Sequence, residues 1–264
     1  MKNFVIGDPH AFFGKMRETL AEHGFFEDES SRLILLGDIL DRGEEAVEMV
    51  DFLLKLAEEG RLVYVRGNHE DLLVSCLQSF SKDALFGIIE PDYIQVQNGT
   101  WGTLLQLSGM NKLDAMRYPR ELVSRVMHSD FYRKLLPLTV DYYETQNHIF
   151  VHGFIPATVS GRAPNEWYTY NPNWREADNQ EWRTARWFNG MKVCSICGVR
   201  EPGKTIVCGH YHTSYGHSYI KKLCPEWGRD AIFDIYRDNG IIAIDASTYN
   251  TGLMNCLVID EEDI

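Results

Sequence analysis

Short polar strings rich in Asp, His and Asn recur along this 264-residue chain, each behind an apolar run. They are Asp8-Pro9-His10, Gly37-Asp38-Ile39-Leu40-Asp41-Arg42-Gly43, Gly67-Asn68-His69-Glu70, Val151-His152-Gly153 and Gly209-His210-Tyr211-His212. Their carboxylates and amide offer hard oxygen and their imidazoles borderline nitrogen, a mixture suited to manganese, iron, zinc, nickel or cobalt. Asp8 and His10, two residues apart in a loop, can point at one ion. Asp38 is the natural bridging carboxylate, Asn68 adds a neutral oxygen, and His152, His210 and His212 add imidazoles. Seven such positions serve two divalent ions and leave room for water and a phosphate. Two metals sharing a carboxylate are suited to displacement at phosphorus, so the pattern implies a metal-dependent phosphoesterase with a phosphorylated substrate.

The elements that must deliver these side chains follow a repeating order. Asn3 to Gly7 is a short apolar run, and Phe12 to His23 has helical spacing. Arg32 to Leu36 reads as a buried strand, Glu44 to Glu59 as an amphipathic helix with Ala46, Val47, Val50, Leu53, Leu54 and Ala57 on one face. Leu62 to Val65 is the next strand, with another helix from about Glu70. Strand, motif and helix thus recur, with Asp8 to Asp38 and Asp38 to Asn68 both 30 residues apart. Such units build parallel strands whose C-terminal ends share one edge, where ligands of open α/β sheets gather. Residues 79–137 read as mostly helical, with a loop at 98–102. Leu138–Tyr143 and His148–Val151 read as an antiparallel pair that delivers His152. Thr205–Cys208 delivers His210 and His212, and Ile241–Asp245 and Leu253–Ile259 close the chain as strands. Residues 154–203 hold four of the six tryptophans, at 167, 174, 182 and 187.

The formal net charge of -12 disfavours nonspecific contact with nucleic acid or an anionic membrane. No apolar stretch approaches a membrane span and no signal peptide precedes the first motif, so the expected compartment is the cytoplasm. The acidic end, residues 260–263, reads as a solvated tail. Cys194-Ser195-Ile196-Cys197 resembles half a zinc knuckle, but a second CxxC is missing, so free thiols are expected. Oligomeric state is not legible.

The motif array resembles the calcineurin-like metallophosphoesterase superfamily, and within it the phosphoprotein-phosphatase branch, which includes serine/threonine phosphatases and diadenosine tetraphosphatase-like enzymes. The family pattern Asp-x-His, Gly-Asp-x-x-Asp-Arg-Gly, Gly-Asn-His-Glu, His, Gly-His-x-His runs from Asp8 to His212. By that resemblance one ion is held by Asp8, His10, Asp38 and His212, and the other by Asp38, Asn68, His152 and His210, with manganese the expected metal. His69, beside a ligand but not itself one, would protonate the leaving oxygen. Asp41 would orient it, and Arg42 would offer a planar fork to the phosphate. A second phosphate arginine is expected from a helix before the last motif, with Arg186 chosen and Arg183 in reserve. Two departures stand out. Pro9 and Ala11 flank His10 where the family commonly has Gly after the His, and His212 is present although eukaryotic protein phosphatases of this branch generally lack it.

The fold so implied is a four-layer α/β/β/α sandwich of two mixed sheets, with a dinuclear site at the strand C-terminal edge. Residues 1–264 would form one domain, carrying a helical insert at about 79–137 and a Trp-rich insert at about 154–203. The expected substrate is a phosphomonoester, phosphoserine or phosphothreonine on proteins. A nucleotide phosphoanhydride of the diadenosine polyphosphate type stands second, and nucleic-acid ends third because of the acidic charge. A metal-binding scaffold without turnover would not require His69, Asp41 and Arg42 together. Substrate choice is expected to lie in the Trp-rich insert, at Trp167, Trp174 and Trp187.

Overall fold

The computed structural model describes residues 1–83, 91–161 and 165–260. The reading of 261–263 as a solvated tail, and parts of both expected inserts, lie outside them. The strands in chain order are β1 (Lys2–Ile6), β2 (Arg32–Leu35), β3 (Leu62–Tyr64), β4 (Tyr143–Glu144), β5 (His148–Val151), β6 (Thr158–Ser160), β7 (Trp167–Thr169), β8 (Thr205–Cys208), β9 (Tyr236–Asp238), β10 (Ile241–Ala243) and β11 (Cys256–Asp260). The α-helices are α1 (Phe13–Glu22), α2 (Ala46–Glu58), α3 (Asn68–Asp83), α4 (Tyr93–Gln97), α5 (Thr100–Ser108), α6 (Lys112–Arg117), α7 (Pro119–His128), α8 (Asn179–Ala185) and α9 (Thr248–Thr251).

Two mixed sheets form, ordered β11-β1-β2-β3 and β4-β5-β8-β10-β9. Each has three parallel strands and antiparallel additions at its edges. The period-2 alternation of side chains explains the layering. Val5, Ile34, Phe150, Val207 and Ile242 meet in one core between the sheets. Their neighbours Phe4, Ile6, Leu33 and Leu35 face the helices α1, α2 and α3, and Ile149, Val151 and Ile206 face the Trp-rich segment. Both faces of both sheets are therefore covered, which gives the four layers expected.

Differences from the sequence reading are local. The buried face of α2 is Ala46, Met49, Val50, Leu53 and Leu56, while Val47 is exposed. Leu138–Tyr143 is not a strand. Leu136–Leu138 closes a 3-10 turn, and Val140 then makes one parallel bridge with Val65 at the edge of the first sheet. The chain joins the second sheet only at Tyr143, opposite Phe150. That segment is a crossing between sheets, and its apolar residues serve both. The break expected over 98–102 shrinks to Asn98–Gly99, because Thr100, Trp101 and Gly102 already belong to α5. Gly99 sits there with φ +84°, and a Cβ on it would fall 2.1 Å from the Arg42 nitrogen. Only glycine lets the helical segment close on the Arg42 loop. The hairpin β6–β7 and the edge strand β9 carry too little alternation to be seen in sequence.

Candidate metal centre

Each motif occupies the turn after a strand, where the chain must leave the sheet sharply. Among the described residues nine non-glycine residues have positive φ, and Asp8, His10, Ala11, Asp38, Asp41, Arg42 and His210 are seven of them. Such left-handed backbone is strained and persists only when its surroundings dictate it. Here the surroundings are each other. The His10 amide donates to the Asp38 carbonyl at 3.0 Å, and the Ala11 amide to the Ile39 carbonyl at 2.7 Å. Glu70, at the start of α3, accepts from the amides of Gly67 at 2.7 Å, Asp38 at 3.0 Å and Ile39 at 3.1 Å. That buried carboxylate ties the second and third motifs together, a role not assigned to it from sequence. Asp8 accepts from the His210 amide at 2.8 Å and so links the two sheets.

Asp38 stands at the centre. It brings a carboxylate oxygen within 4.8 Å of ligand nitrogens of His10 and His69 on one side, and of His152 and His210 on the other. Its Oδ1 is 3.4 Å from His152 Nε2, and its Oδ2 is 3.8 Å from His69 Nε2. Asn68 Oδ1 lies 2.7 Å from the same His152 nitrogen. A carbonyl can only accept, so the imidazole nitrogens beside carbonyls carry protons. This places the proton of His10 on Nδ1, 3.0 Å from the Leu40 carbonyl, and that of His152 on Nδ1, 2.5 Å from the Leu36 carbonyl. His152 Nε2 faces two acceptor oxygens, Asn68 Oδ1 and Asp38 Oδ1, a place where these three donor atoms could share one cation.

The electrostatics point the same way. Burial, followed by the Arg42 and His69 charges, pushes His10 well below the usual imidazole range. Burial and His152 bring His210 down to about 3. Both imidazoles are thus neutral, as metal ligands must be. Burial, with Asp245 and Asp38 beside it, pushes the Asp8 carboxyl well above its ordinary value, and burial lifts Asp245 to about 6. Crowded buried carboxylates among neutral imidazoles form a donor set short of positive charge. Two divalent ions fit it.

Of the residues singled out from sequence, Asp8, His10, Asp38, Asn68, His152 and His210 converge, all but His210 buried. His69 joins them and also binds Asp41, with Nδ1 2.7 Å from Asp41 Oδ2. Burial lowers the His69 pKa, but the Asp38 and Asp41 carboxylates outweigh it and the balance is upward. Arg42 Nη2 lies 3.4 Å from His69 Nε2. His212 stands apart from both groups, with its Nε2 3.0 Å from Glu226 Oε1. Arg186 is buried, with Nη1 on Asp71 Oδ2 at 2.6 Å and Nη2 on Asp141, so both ends of its fork meet carboxylates and it braces α8 against α3. Arg183 is exposed, with Nη2 3.3 Å from Ser75 Oγ. Trp174 requires a correction as a substrate-facing residue, because it is fully buried and donates from Nε1 to Glu201 at 2.9 Å. Trp167 and Trp187 are about half exposed, at 51% and 53%. Trp187 lies by the site, its ring 5.7 Å from that of His210. Cys194 is buried with Sγ 3.5 Å from the Asn239 carbonyl, and both Cys194 and Cys197 are free cysteines.

Sequence reasoning missed three contributors. Thr100 and Thr103 of α5 donate hydroxyls to Asp41 at 2.8 and 2.6 Å, so the helical segment holds the residue that holds His69. Asp245 follows β10 as Asp8 follows β1, and the strand-then-Asp pattern was its visible signal. A Cβ on Gly7 would meet Ile244 at 3.1 Å and Gly209 at 3.4 Å, so the residues after all three converge.

The family profile described as calcineurin-like phosphoesterase matches residues 1–244. A serine/threonine-protein phosphatase 1 of Salmonella typhimurium is 25% identical over 189 residues, covering 66% of this chain and 81% of that one. A symmetrical bis(5'-nucleosyl)-tetraphosphatase of Glaesserella parasuis is 32% identical over 103 residues, covering 37% of each. The chain thus matches about a third of that relative's length, and 46% of an asymmetrical counterpart from Bacillus velezensis. A crystal structure described as that of a candidate diadenosine tetraphosphatase superposes with a TM-score of 0.50 at 14% identity, covering 98% of this chain and 89% of that one, a likeness of fold.

Proposed function

The chain belongs to the calcineurin-like phosphoesterase family, and from that premise we propose that it hydrolyses phosphomonoesters in the manner of a serine/threonine protein phosphatase. Asp8, His10, Asp38 and His212 would hold one divalent ion, and Asp38, Asn68, His152 and His210 the other, with manganese the expected metal. When bound, the ions supply Lewis acidity toward the phosphoryl oxygens and a water activated for attack. Arg42, whose guanidinium faces the Tyr249 ring at 5.9 Å, presents its planar fork to the phosphate. His69 gives the proton from Nε2 to the departing oxygen while Asp41 holds Nδ1.

The observation that carries the reading is the buried pair of His69 and Asp41, 2.7 Å apart and clamped by two threonines. An imidazole whose acid form is favoured suits an alkoxide leaving group, which needs a proton, as serine and threonine esters do. A nucleotide phosphoanhydride is the second reading. It is favoured by exposed aromatic rings beside the site, Trp187 near His210 and Trp227 with its ring 4.4 Å from that of His212, since such rings can stack on a base. The test compares a phosphoserine peptide, a dinucleoside tetraphosphate and an aryl phosphate, each with manganese and with chelator. Peptide turnover lost on chelation supports the first reading, and turnover of the dinucleotide alone supports the second. A metal-saturated protein inert toward all three refutes both.

A further inference from the structure

Helices α3 and α8 lead away from the metal centre together, joined by two arginine contacts. α3 starts at Asn68, whose Oδ1 lies 2.7 Å from His152 Nε2. One turn farther out, Asp71 accepts from Arg186 Nη1 at 2.6 Å. Two turns out, Ser75 Oγ accepts from Arg183 Nη2 at 3.3 Å. Moving outward along α3 is thus moving backward along α8, from its C-cap Arg186 to Arg183. Trp187, next in the chain, stands at the inner end with its ring 5.7 Å from that of His210.

The two arginines differ in charge balance. Arg186 is buried and both ends of its fork meet carboxylates, Asp71 and Asp141. Arg183 is exposed, and among the described residues it makes no ion pair, its side chain meeting the neutral Ser75 hydroxyl. Arg183 and Trp187, one turn apart, line the same cavity of about 450 Å³, with Tyr168 and Phe188 also in its wall. Glu166 lines it too, but its Oε2 accepts from the Tyr168 hydroxyl at 2.9 Å. The cavity therefore begins beside the metal centre at Trp187 and reaches a guanidinium whose charge is not neutralised by an ion pair. In a chain of net charge -12, that local cation is what admits a second negative group on the substrate.

Asn68 and Ser75 are seven residues apart on α3, about 10.5 Å along the helix axis. An extended peptide covers about 3.3–3.6 Å per residue, so about three residues span the same distance. We propose that Arg183 is a specificity-determining residue that pairs with an aspartate or glutamate three residues from the phosphorylated serine or threonine of a peptide. This rests on the phosphopeptide reading above and names the sequence class within it. The guanidinium fork matches a carboxylate through two parallel hydrogen bonds. The half-exposed Trp187 ring gives the intervening residues a flat wall. An exposed pair of this kind favours the acidic peptide by up to about fivefold, and salt weakens it.

The test uses the full chain with manganese and reads kcat/KM on three phosphoserine peptides. They differ only at the third residue on each side of the phosphoserine, which is Glu, Ala or Lys. The ratio between peptides is the readout, because an arginine that held the reacting phosphate itself would lower all three alike. The parent should prefer Glu over Ala by about three- to fivefold, and Ala over Lys. The preference should reside in KM, since the contact is remote from the reacting bond, and should shrink at about 0.5 M salt. Arg183→Ala should bring the Glu-to-Ala ratio to about one, and Arg183→Glu should invert the order toward Lys. A parent that cuts all three peptides equally overturns the proposal and leaves the phosphatase reading standing, whether or not a variant folds. An Arg183→Ala protein that keeps the parental ratio, even with all three rates lowered, overturns it as well. A parent that turns over none of the peptides refutes the phosphopeptide reading and this proposal with it.

Discussion

Replacing His69 with asparagine separates two roles that its position allows. Its Nε2 lies 3.8 Å from Asp38 Oδ2 and it groups with His10 and Asp38 as a possible metal ligand, while its Nδ1 is 2.7 Å from Asp41. The acid role commits the Nδ1 proton to Asp41 and requires a second proton on Nε2. The Asp38 and Asp41 carboxylates favour that doubly protonated form against the opposing effect of burial. A positioned general acid contributes about a hundred- to ten-thousand-fold, or about 2.7–5.5 kcal/mol of barrier. His69→Asn should therefore lower turnover of an alkyl phosphate by that factor, and of an aryl phosphate by less, because an aryl oxide leaves with little help. Manganese content should stay at the parental value. Asp41→Asn keeps the imidazole and loses a charge-assisted hydrogen bond worth about 1.5–3 kcal/mol, so a deficit of about ten- to a hundredfold is expected. The assay is steady-state turnover on the two ester classes, with metal content measured by elemental analysis of the same preparations. Equal losses on both esters, or loss of manganese from His69→Asn, would refute the acid role, and the latter would make His69 a ligand.

Asp38→Asn should reduce bound manganese below the parental value, since Asp38 belongs to both ligand groups; elemental analysis decides. Thr103→Val removes a 2.6 Å hydroxyl donor from Asp41 and should lower alkyl phosphate turnover about tenfold at unchanged metal content. Trp174→Ala should lower stability by about 3–5 kcal/mol in denaturant unfolding, whereas Trp187→Ala should leave stability intact and change the ranking of peptide against dinucleotide substrates. Arg186→Met should destabilise the fold by about 1–3 kcal/mol, through two lost charge-assisted hydrogen bonds, since Asp71 keeps its Arg66 partner and Asp141 is partly exposed, yet leave KM for an aryl phosphate near the parental value where the protein is folded. A large rise in KM without destabilisation would return Arg186 to the site.

The placement of Asp8, Asp38, Asn68, His152 and His210 at strand ends was legible in sequence because it depends on local pattern. An apolar run of strand length followed by a polar turn fixes where a side chain emerges, and parallel strands bring their ends to one edge. The buried strands and α2 were readable for the same reason, within a residue or two at each end. Other assignments depended on partners distant along the chain. Arg186 meets Asp71 across 115 residues, and nothing near Arg186 in sequence announces that its charge is already neutralised. Trp174 and Trp187 are alike in composition and neighbourhood, yet one fills the core under Glu201 and the other lines the site. Legible in the sequence alone were Asp, His and Asn side chains set at strand ends, with His69 beside them. Tertiary structure decided that α5 clamps Asp41, that Asp245 joins the carboxylates, and that Glu226 takes one nitrogen of His212. Periodicity assigns a side chain to a face, but what it meets there is set by packing between segments that share no local pattern.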